Sequence, residues 1–218
     1  MKNLVVAIDG PAGAGKSTVA QLAAKKLGYT YIDTGAMYRA VAWKTLQQGK
    51  DVTDELILAV VNDIDVNLQY KDGKTTVAVD GTDVTGEIRT PEVSAIVSQV
   101  AALGPVRAKM VDLQRKMGER GSVLMDGRDI ATNVLPNADV KIFLTASIEE
   151  RARRRHKELT EKGYDIDMEK MKADIAARDK ADSEREISPL VQAEDATLLD
   201  TTGLSIDEVV ERILAMCR

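Results

Sequence analysis

The sequence predicts an α/β fold in which helices cover both faces of a parallel five-stranded sheet. Short apolar runs rich in β-branched residues alternate along the chain with stretches that carry apolar side chains at helical spacing. A glycine-rich turn directly follows the first of these runs. Strands that alternate with helices form right-handed crossovers, which build a parallel sheet between helical layers. The 218 residues are enough for one large domain that carries a small insertion.

The first sixty residues are predicted to hold two strands and three helices. The strands are the runs from Leu4 to Ile8 and from Tyr29 to Asp33. The helices are residues 17–27, the stretch from Ala36 to Gln48, and a third that begins after Thr53 and reaches about Asn62. Gly28 and Gly49 suit helix ends, and Thr53 is a preferred N-cap residue.

The next stretch changes its periodicity from helical spacing to strict alternation. Residues 66–70 and 77–79 alternate apolar with polar side chains, and Asp72-Gly73 and Asp80-Gly81 mark tight turns. Asp-Gly between alternating runs is a strong hairpin signal. We therefore predict a small antiparallel subdomain inserted into the α/β chain.

The second half returns to alternating helices and strands. Thr90 and Pro91 supply an N-cap and a first helical residue, and Gly104-Pro105 interrupts the helix that they begin. Ser147 and Ser205 each precede a glutamate by three residues, which predicts a capping box at two further helices. The remaining elements are strands at Ser122 to Asp126, Val140 to Thr145 and Thr197 to Asp200, and helices at about Pro105 to Met117 and Ile166 to Glu186.

The glycine-rich turn after the first strand fits the phosphate-binding pattern G-x-x-x-x-G-K-[ST]. Gly10, Gly13 and Gly15 allow positive φ and leave room for a phosphate beside the backbone. Backbone N–H groups at the start of the following helix then form an anion nest. Lys16 would meet the β- and γ-phosphates of a nucleoside triphosphate, and the Ser17 hydroxyl would ligate Mg²⁺.

Composition excludes several classes of function. The net charge of −5 argues against general affinity for nucleic acid. With one cysteine, Cys217, and one histidine, His156, internal disulfides and Cys- or His-based metal centres are excluded. No apolar run has membrane-spanning length, and the first motif comes too early for a signal peptide. We therefore expect a cytoplasmic protein with no membrane and no nucleic-acid partner.

Further basic and acidic residues follow the predicted strands. Arg39 lies just beyond the second strand, where ligands bind in open α/β sheets, although an exposed helix face would explain it equally well. Asp126 ends the third strand, where a carboxylate can hold the hydration shell of Mg²⁺. Arg128, two residues later, offers a phosphate fork, but the D-G-R-D pattern is also compatible with a polar turn.

Two helical segments add a second set of cations. Residues 151–157 contain four arginines and suit a mobile lid that closes over a phosphoryl group, although a solvated basic face or a nucleic-acid site fits the same composition. Arg178, Asp182 and Arg185 fall on one helix face, which suits an anion beside a sugar hydroxyl or a simple salt bridge. Together these sites predict two phosphate-binding regions, as needed to move a phosphoryl group between two nucleotides. Ser98 and Arg107 could supply donors to a cytosine ring, and Asp129 an acceptor for its amine.

With these motifs in this order, the chain resembles the bacterial cytidylate kinases, which are nucleoside monophosphate kinases of the P-loop class. The resemblance rests on IDGPAGAGKST, DTGAMYRA, TGEIRT, SQVAA, the P-x-V-R pattern, DGRD, the arginine-rich segment and the RDxxD…R segment. It implies a three-layer P-loop NTPase fold with a core at residues 1–59, 100–150 and 187–218, a monophosphate-binding insert at about 60–99 and a helical lid at about 151–165.

The resemblance also implies a set of site residues. ATP would bind at Gly10, Pro11, Ala12, Gly13, Ala14, Gly15, Lys16, Ser17 and Thr18. CMP would bind at Thr34, Arg39, Ser98, Arg107, Arg128, Asp129, Arg178, Asp182 and Arg185. Catalysis would rest on Lys16, Arg128 and Arg155, with Mg²⁺ on Ser17.

The implied reaction transfers the γ-phosphoryl group of ATP to CMP or dCMP, with Mg²⁺ as cofactor and a monomer as the active form. UMP, AMP or shikimate are alternative acceptors within the same class. A nucleotide-dependent switch that binds nucleic acid through residues 151–157 is the alternative from another class.

Overall fold

The computed structural model describes residues 3–49 and 51–218. Its main sheet has five parallel strands in the order β2-β6-β1-β7-β8, as predicted for the fold class. The strands are β1 (Val5–Asp9), β2 (Thr30–Asp33), β6 (Val123–Gly127), β7 (Val140–Thr145) and β8 (Thr197–Asp200). The order places β1 at the centre of the sheet, so the loop after β1 opens at mid-sheet.

The helices begin and end close to the predicted positions. They are α1 (Lys16–Leu27), α2 (Thr34–Gln48), α3 (Asp54–Asp63), α4 (Pro91–Ala102), α5 (Gly104–Gly118), α6 (Ile148–Glu161), α7 (Met168–Glu184) and α8 (Ile206–Met216). Thr53 caps α3, because its hydroxyl accepts a hydrogen bond from the Leu56 N–H. Gly28 ends α1 in the left-handed conformation. Capping and glycine chemistry therefore predicted these boundaries correctly.

The two predicted capping boxes have different outcomes. Ser205 and Glu208 form the complete box at α8. At α6, the Ser147 hydroxyl accepts from the Glu150 N–H, but the Ser147 N–H donates to Thr202 instead of Glu150. The second half of this predicted box is wrong, because the Glu150 carboxylate binds the neighbouring arginines of α6.

Alternate residues of the central strands pack on opposite faces of the main sheet. Val6 and Ile8 join the cluster that α1 and α8 cover, whereas Ala7 joins the cluster on the other face with Val111 of α5. Successive side chains of a strand point to opposite faces, so a parallel strand buried on both sides is apolar throughout. This explains why β1 and β6 read as continuous apolar runs and gives the three layers.

The predicted hairpin is present as a second, antiparallel sheet. Its strands are β3 (Val66–Lys71), β4 (Lys74–Val79) and β5 (Thr82–Asp83), paired in chain order. Asp72 and Asp80 have positive φ at the two turns, as Asp-Gly turns require. The buried faces of these strands pack against α2, α3, α4 and α5 in one hydrophobic cluster. The division into core, insert and lid stays a prediction.

We expect Gly10→Ala to destabilise the protein strongly. A Cβ at this position would lie 1.9 Å from the carbonyl oxygen of Leu144 in β7, and Gly10 has a φ of 150°. Backbone strain and overpacking each cost about 1–3 kcal/mol, so the free energy of unfolding should fall by about 2–4 kcal/mol. The midpoint of thermal unfolding should drop by about 5–15 °C.

The matched control is Gly49→Ala, because Gly49 has an extended φ of 171° and, apart from its chain neighbours, no described residue has a heavy atom within 4 Å of the added Cβ. Its midpoint should stay within about 2 °C of the wild type, as for a surface substitution. Equal midpoints for both variants would contradict the close approach of the loop to β7.

Candidate active site

The loop between β1 and α1 folds around the Lys16 side chain. Its Nζ donates hydrogen bonds to the carbonyl oxygens of Gly10 at 2.7 Å and Pro11 at 2.8 Å. Gly15, at the N-cap of α1, takes the left-handed conformation with a φ of 87°. The ammonium group is therefore held at the centre of the predicted phosphate cradle, beside the N-terminus of α1.

The surroundings of Lys16 oppose its positive charge. Burial, together with the nearby Arg128 and Arg178 guanidinium groups, lowers the pKa of Lys16 to about 7. The attraction of Asp126 acts in the opposite direction. A phosphate group in the loop would relieve this repulsion and favour the charged lysine. The electrostatics of the site therefore favour an anionic ligand.

Ser17 and Asp126 converge beside the lysine. The Ser17 hydroxyl donates to one Asp126 carboxylate oxygen at 3.1 Å, and the Tyr31 hydroxyl donates to the other at 2.7 Å. Burial, followed by repulsion from Asp33, raises the pKa of Asp126 to about 6. A hydroxyl and a carboxylate are hard oxygen donors of the kind that Mg²⁺ prefers, so this pair fits the cation that ATP would bring.

Arg39 of α2 belongs to the same group of charges, because Arg178 acts on the pKa of both Lys16 and Arg39. The region around Lys16, Arg39, Arg128, Arg155 and Arg178 is called the cleft. Its guanidinium donates to the Ser94 hydroxyl of α4 at 2.8 Å and to the Ile88 carbonyl at 3.3 Å. Burial holds the pKa of Arg39 well below its usual range, and the charges of Arg178 and Arg155 add to the effect. Arg155 of α6 donates to the same Ser94 hydroxyl at 3.3 Å. Arg39 therefore belongs to a cationic cluster and not to an exposed helix face.

Arg178 and Asp182 of α7 also face this cleft, but the prediction that Arg185 shares their helix face is wrong, because α7 ends at Glu184 and Arg185 follows it with an extended backbone. The Arg128 Nε donates to Asp182 at 2.9 Å, and burial lowers the pKa of Arg178 to about 10, with a further contribution from Arg128. The Arg185 Nε donates to the Ser188 carbonyl at 2.7 Å. Arg178 Nε and Arg185 Nη2 are buried without a hydrogen-bond partner in the part of the chain that the structure describes. Arg185 Nη2 lies 3.7 Å from Asp129 Oδ1, and a bound anion or hydroxyl would give both donors a hydrogen-bond partner.

A buried ion pair lies beside this cluster. Arg107 of α5 bonds to the Asp129 carboxylate, donates to the Ala101 carbonyl at 3.1 Å, and lies 5.4 Å above the Tyr38 ring. Asp129 also accepts from the Asn133 side chain at 3.0 Å. Arg107, predicted as a donor to the base, and Asp129, predicted as an acceptor, therefore hold each other in position. Both are almost fully buried, which fixes their geometry.

Ser98 and Thr34 complete the predicted acceptor residues. Ser98 is half-buried on α4, one turn after Ser94, so the two hydroxyls share a helix face. The Thr34 hydroxyl donates to the Asp126 carbonyl at 2.7 Å, which ties the start of α2 to the end of β6.

The arginines of α6 divide into three roles. Arg151 donates to the carbonyl of Ala12 at 3.0 Å and to Asp179 at 2.6 Å, and Arg154 donates to the carbonyl of Ala14 at 3.2 Å. Arg153 is exposed and pairs with Glu150. Arg155 alone of the four reaches Ser94. Two of the four arginines therefore hold the outward-facing carbonyls of the phosphate loop.

Arg154 connects the loop to a further segment. It also donates to the hydroxyl of Thr201 at 3.1 Å and to its carbonyl at 3.0 Å. Thr201 follows β8 directly and is buried. The turn after β8 and the phosphate loop are thus joined through one guanidinium group.

Several site residues were not predicted from the sequence. They are Asp9, Tyr31, Asp33, Arg89, Ser94 and Gln114, all of which contact or face the cleft residues. Asp9 and Asp33 end β1 and β2 as Asp126 falls at the end of β6, so the same strand-end signal could have found them. Ser94 carries no such signal, because its contact with Arg39 depends on how α4 packs on α2.

Comparison with known proteins gives a consistent result. The family model described as "Cytidylate kinase" matches residues 6–218. The cytidylate kinase of Bacillus subtilis (strain 168) is 57% identical over 215 residues, covering 98% of this chain and 96% of the relative. That of Bacillus cereus (strain ATCC 10987 / NRS 248) is 53% identical over 216 residues, covering 99% and 96%.

A solved structure supports the fold. An uncharacterized protein from Eubacterium ventriosum superposes with a TM-score of 0.55 at 11% identity, covering 98% of this chain and 97% of that protein. Within residues 3–49 and 51–218, no helix is long and apolar enough to cross a membrane.

We expect Arg154→Gln to lower the free energy of unfolding by about 1–2 kcal/mol, because it removes bonds to the carbonyls of Ala14 and Thr201 and to the Thr201 hydroxyl. Arg153→Gln is the matched control from the same helix: its side chain is 62% exposed and pairs with Glu150 alone among the described residues. An exposed pair contributes little, so the control should change the free energy of unfolding by less than about 0.5 kcal/mol. Denaturant unfolding of both variants measures this, and equal losses would contradict a special role for the carbonyl contacts.

We expect Asp126→Asn to stabilise the ligand-free protein near neutral pH. The pKa of Asp126 is raised from 3.8 to about 6, so ionising this carboxyl costs the folded state more than the unfolded state. The cost is absent below the unfolded pKa and complete above the folded one, where it amounts to about 1–3 kcal/mol.

The variant should therefore unfold at a higher denaturant concentration than the wild type at about pH 7.5, and the difference should vanish towards about pH 4. Urea unfolding across this range measures both quantities. A constant difference at every pH would show that the carboxylate charge is not its source.

Proposed function

The chain belongs to the cytidylate kinase family, and on that premise we propose that it transfers the γ-phosphoryl group of ATP to CMP or dCMP, giving ADP and CDP or dCDP. The observation that supports the site assignment is the convergence of cations on one cleft. Lys16 on the loop after β1 lies within the field of Arg128 and Arg178, and Arg39 lies within the field of Arg178 and Arg155. Such a cluster is costly to bury unless phosphate groups bind it.

The donor side of the cleft is the loop from Gly10 to Thr18. We propose that its backbone N–H groups hold the ATP phosphates, while Lys16 contacts the β- and γ-phosphates. Ser17 and Asp126 would hold Mg²⁺, directly or through its water shell, and the cation would neutralise charge on the β- and γ-phosphates. Arg151 and Arg154 bond to carbonyl oxygens of this loop, at Ala12 and Ala14. These bonds would orient the peptide groups so that the N–H groups face the ligand.

The acceptor side is built from α2, α4, α5, α7 and the turn after β6. We propose that Arg39, Arg128 and Arg185 hold the monophosphate, with Thr34 beside them at the start of α2. Arg178 and Asp182 would contact the ribose. Ser98, Arg107 and Asp129 would read the cytosine ring, whose O2 and N3 need donors and whose amine needs an acceptor. The buried Arg107–Asp129 pair supports this because both side chains are already fixed before a ligand binds.

The chemistry requires no general base. A phosphate oxygen of CMP is already anionic and attacks the γ-phosphorus in line, as the bond to the β-phosphate oxygen breaks. Lys16, Arg128 and Arg155 would stabilise the charge on the oxygens during transfer. Positioning two nucleotides in one cleft supplies most of the remaining rate enhancement.

We further propose that the insert at about 60–99 and the lid at about 151–165 close over both nucleotides and exclude water. A monomeric state and a cytoplasmic location are part of the same proposal. The alternative of a nucleic-acid-binding switch through residues 151–157 is less favoured, because Arg151 and Arg154 are engaged by backbone carbonyls. A free basic surface would need those guanidinium groups exposed.

An acceptor panel tests the proposed function. ADP release is followed in a coupled assay with CMP, dCMP, UMP, AMP and shikimate in turn. CMP or dCMP should give the highest kcat/KM, by about tenfold or more over UMP and AMP, because the pocket's polar groups would be left unpaired by the other bases. A higher value for another acceptor would overturn the substrate assignment.

Lys16→Met serves as the control variant for this assay. Loss of one preorganised charge donor should lower kcat by about 10²–10³-fold in a folded protein. Near-normal turnover in that variant would contradict the role of the loop after β1.

A further inference from the structure

Asp9 joins the phosphate loop to the turn that carries Arg128 and Asp129. It is the last residue of β1 and directly precedes Gly10, and its side chain is 2% exposed. Its two carboxylate oxygens accept hydrogen bonds from the backbone N–H groups of Ile130 and Ala131, each at 2.8 Å. Asp9 therefore joins the phosphate loop, through its peptide bond to Gly10, to the turn after β6, through its buried carboxylate.

The two N–H groups open a single turn of π-helix at Ile130–Val134. The first N–H groups of any helical turn need acceptors, and the N-cap residue usually supplies one. Here the N-cap residue, Asp129, makes no capping hydrogen bond, because its carboxylate bonds to Arg107 and Asn133. Asp9 caps the turn instead, from a neighbouring strand.

The position of this turn decides where two acceptor-site residues point. Arg128 turns towards Asp182 and α7, whereas Asp129 turns towards Arg107 and α5. Arg128 and Asp129 immediately precede Ile130 and Ala131, whose N–H groups Asp9 caps. A shift of the turn would move both side chains together, and the monophosphate and base contacts with them.

The charge of Asp9 is retained at a cost. Burial raises the pKa of Asp9 to about 6, and the neighbouring Asp129 opposes its ionisation further, whereas the two N–H groups and Lys16 favour it. A carboxylate presents a separate oxygen to each N–H group, whereas an amide in the same place would turn its NH2 group towards one of the two donors. This geometry explains why a carboxylate occupies a site where ionisation is unfavourable.

We propose that Asp9 is a positioning residue for the acceptor nucleotide: it fixes the turn that carries Arg128 and Asp129 relative to the phosphate loop. The proposal rests on the proposed function, because it assigns those two residues to the monophosphate and the base. Asp9 acts through the turn and contacts neither nucleotide. Its loss should impair CMP recognition more than ATP binding.

The test compares Asp9→Asn and Asp9→Ala with Ser205→Ala. Asn keeps one acceptor and Ala keeps none, so KM for CMP should rise by about tenfold or more in Asp9→Asn and further in Asp9→Ala. The preference for CMP over UMP should fall by a similar factor, while KM for ATP stays within about threefold.

Ser205→Ala is the matched control for lost stability. Ser205 caps α8 through its side chain, so its removal destabilises the protein away from the cleft, and CMP kinetics should stay within about twofold. An unchanged KM for CMP in folded Asp9→Asn, or equal rises in the KM values for both nucleotides, would overturn the proposal. Failure of the wild type to prefer CMP or dCMP would instead overturn the proposed function.

Amide hydrogen exchange of the wild type keeps the proposal testable if the Asp9 variants do not fold. The amides of Ile130 and Ala131 should be protected in the ligand-free protein to the level of the neighbouring β6 amides, because both are bonded to a buried carboxylate. Rapid exchange of these two amides before CMP is added would show that the turn is not fixed in advance, and would overturn the proposal.

Discussion

An excess of buried positive charge at the carboxyl edge of the sheet is the constraint on which the rest of the structure depends. Lys16, Arg39 and Arg178 all have pKa values lowered by burial and by neighbouring arginines. Buried like charges repel, and the folded protein tolerates them because strands, helix ends and carboxylates hold each one in place. Under the proposed function, the phosphate groups of a triphosphate and a monophosphate would relieve this repulsion.

Three carboxylates balance part of that charge, and two of them, Asp33 and Asp9, also accept hydrogen bonds from backbone N–H groups. Asp33 caps α2 and pairs with Arg89, Asp126 accepts from Ser17 and Tyr31, and Asp9 caps the turn after β6. All three lie at or next to the carboxyl ends of adjacent parallel strands: Asp33 is paired with Asp126 across the sheet, and Asp9 with the following residue, Gly127. The parallel sheet therefore acts as the common frame that sets the distance between donor and acceptor sites.

The four arginines of α6 are close in sequence but have different partners in the structure. Their sequence predicts a lid that brings guanidinium groups onto phosphate. In the structure, Arg151 and Arg154 instead bind carbonyls of the phosphate loop, and Arg155 faces the cleft. The difference follows from helical geometry: residues 151 and 155 are one turn apart, but the loop lies closest to the first turn of α6, where Gly13 packs against Arg151. Arg155, which the resemblance already named as catalytic, therefore stays the proposed contact to the transferred group, and the position of the helix adds that Arg151 and Arg154 are engaged elsewhere.

The sequence by itself determined the strands, the helix boundaries, the phosphate loop and the antiparallel hairpin, because these depend on local periodicity, capping residues and glycine conformations. Tertiary structure decided the partners: Arg107 with Asp129, Asp9 with the turn after β6, and Ser147 with Thr202 instead of Glu150. These contacts join residues up to 122 positions apart. Chain-distant partners are set by how strands are ordered and how helices pack on them, and no short-range pattern in the sequence encodes that choice.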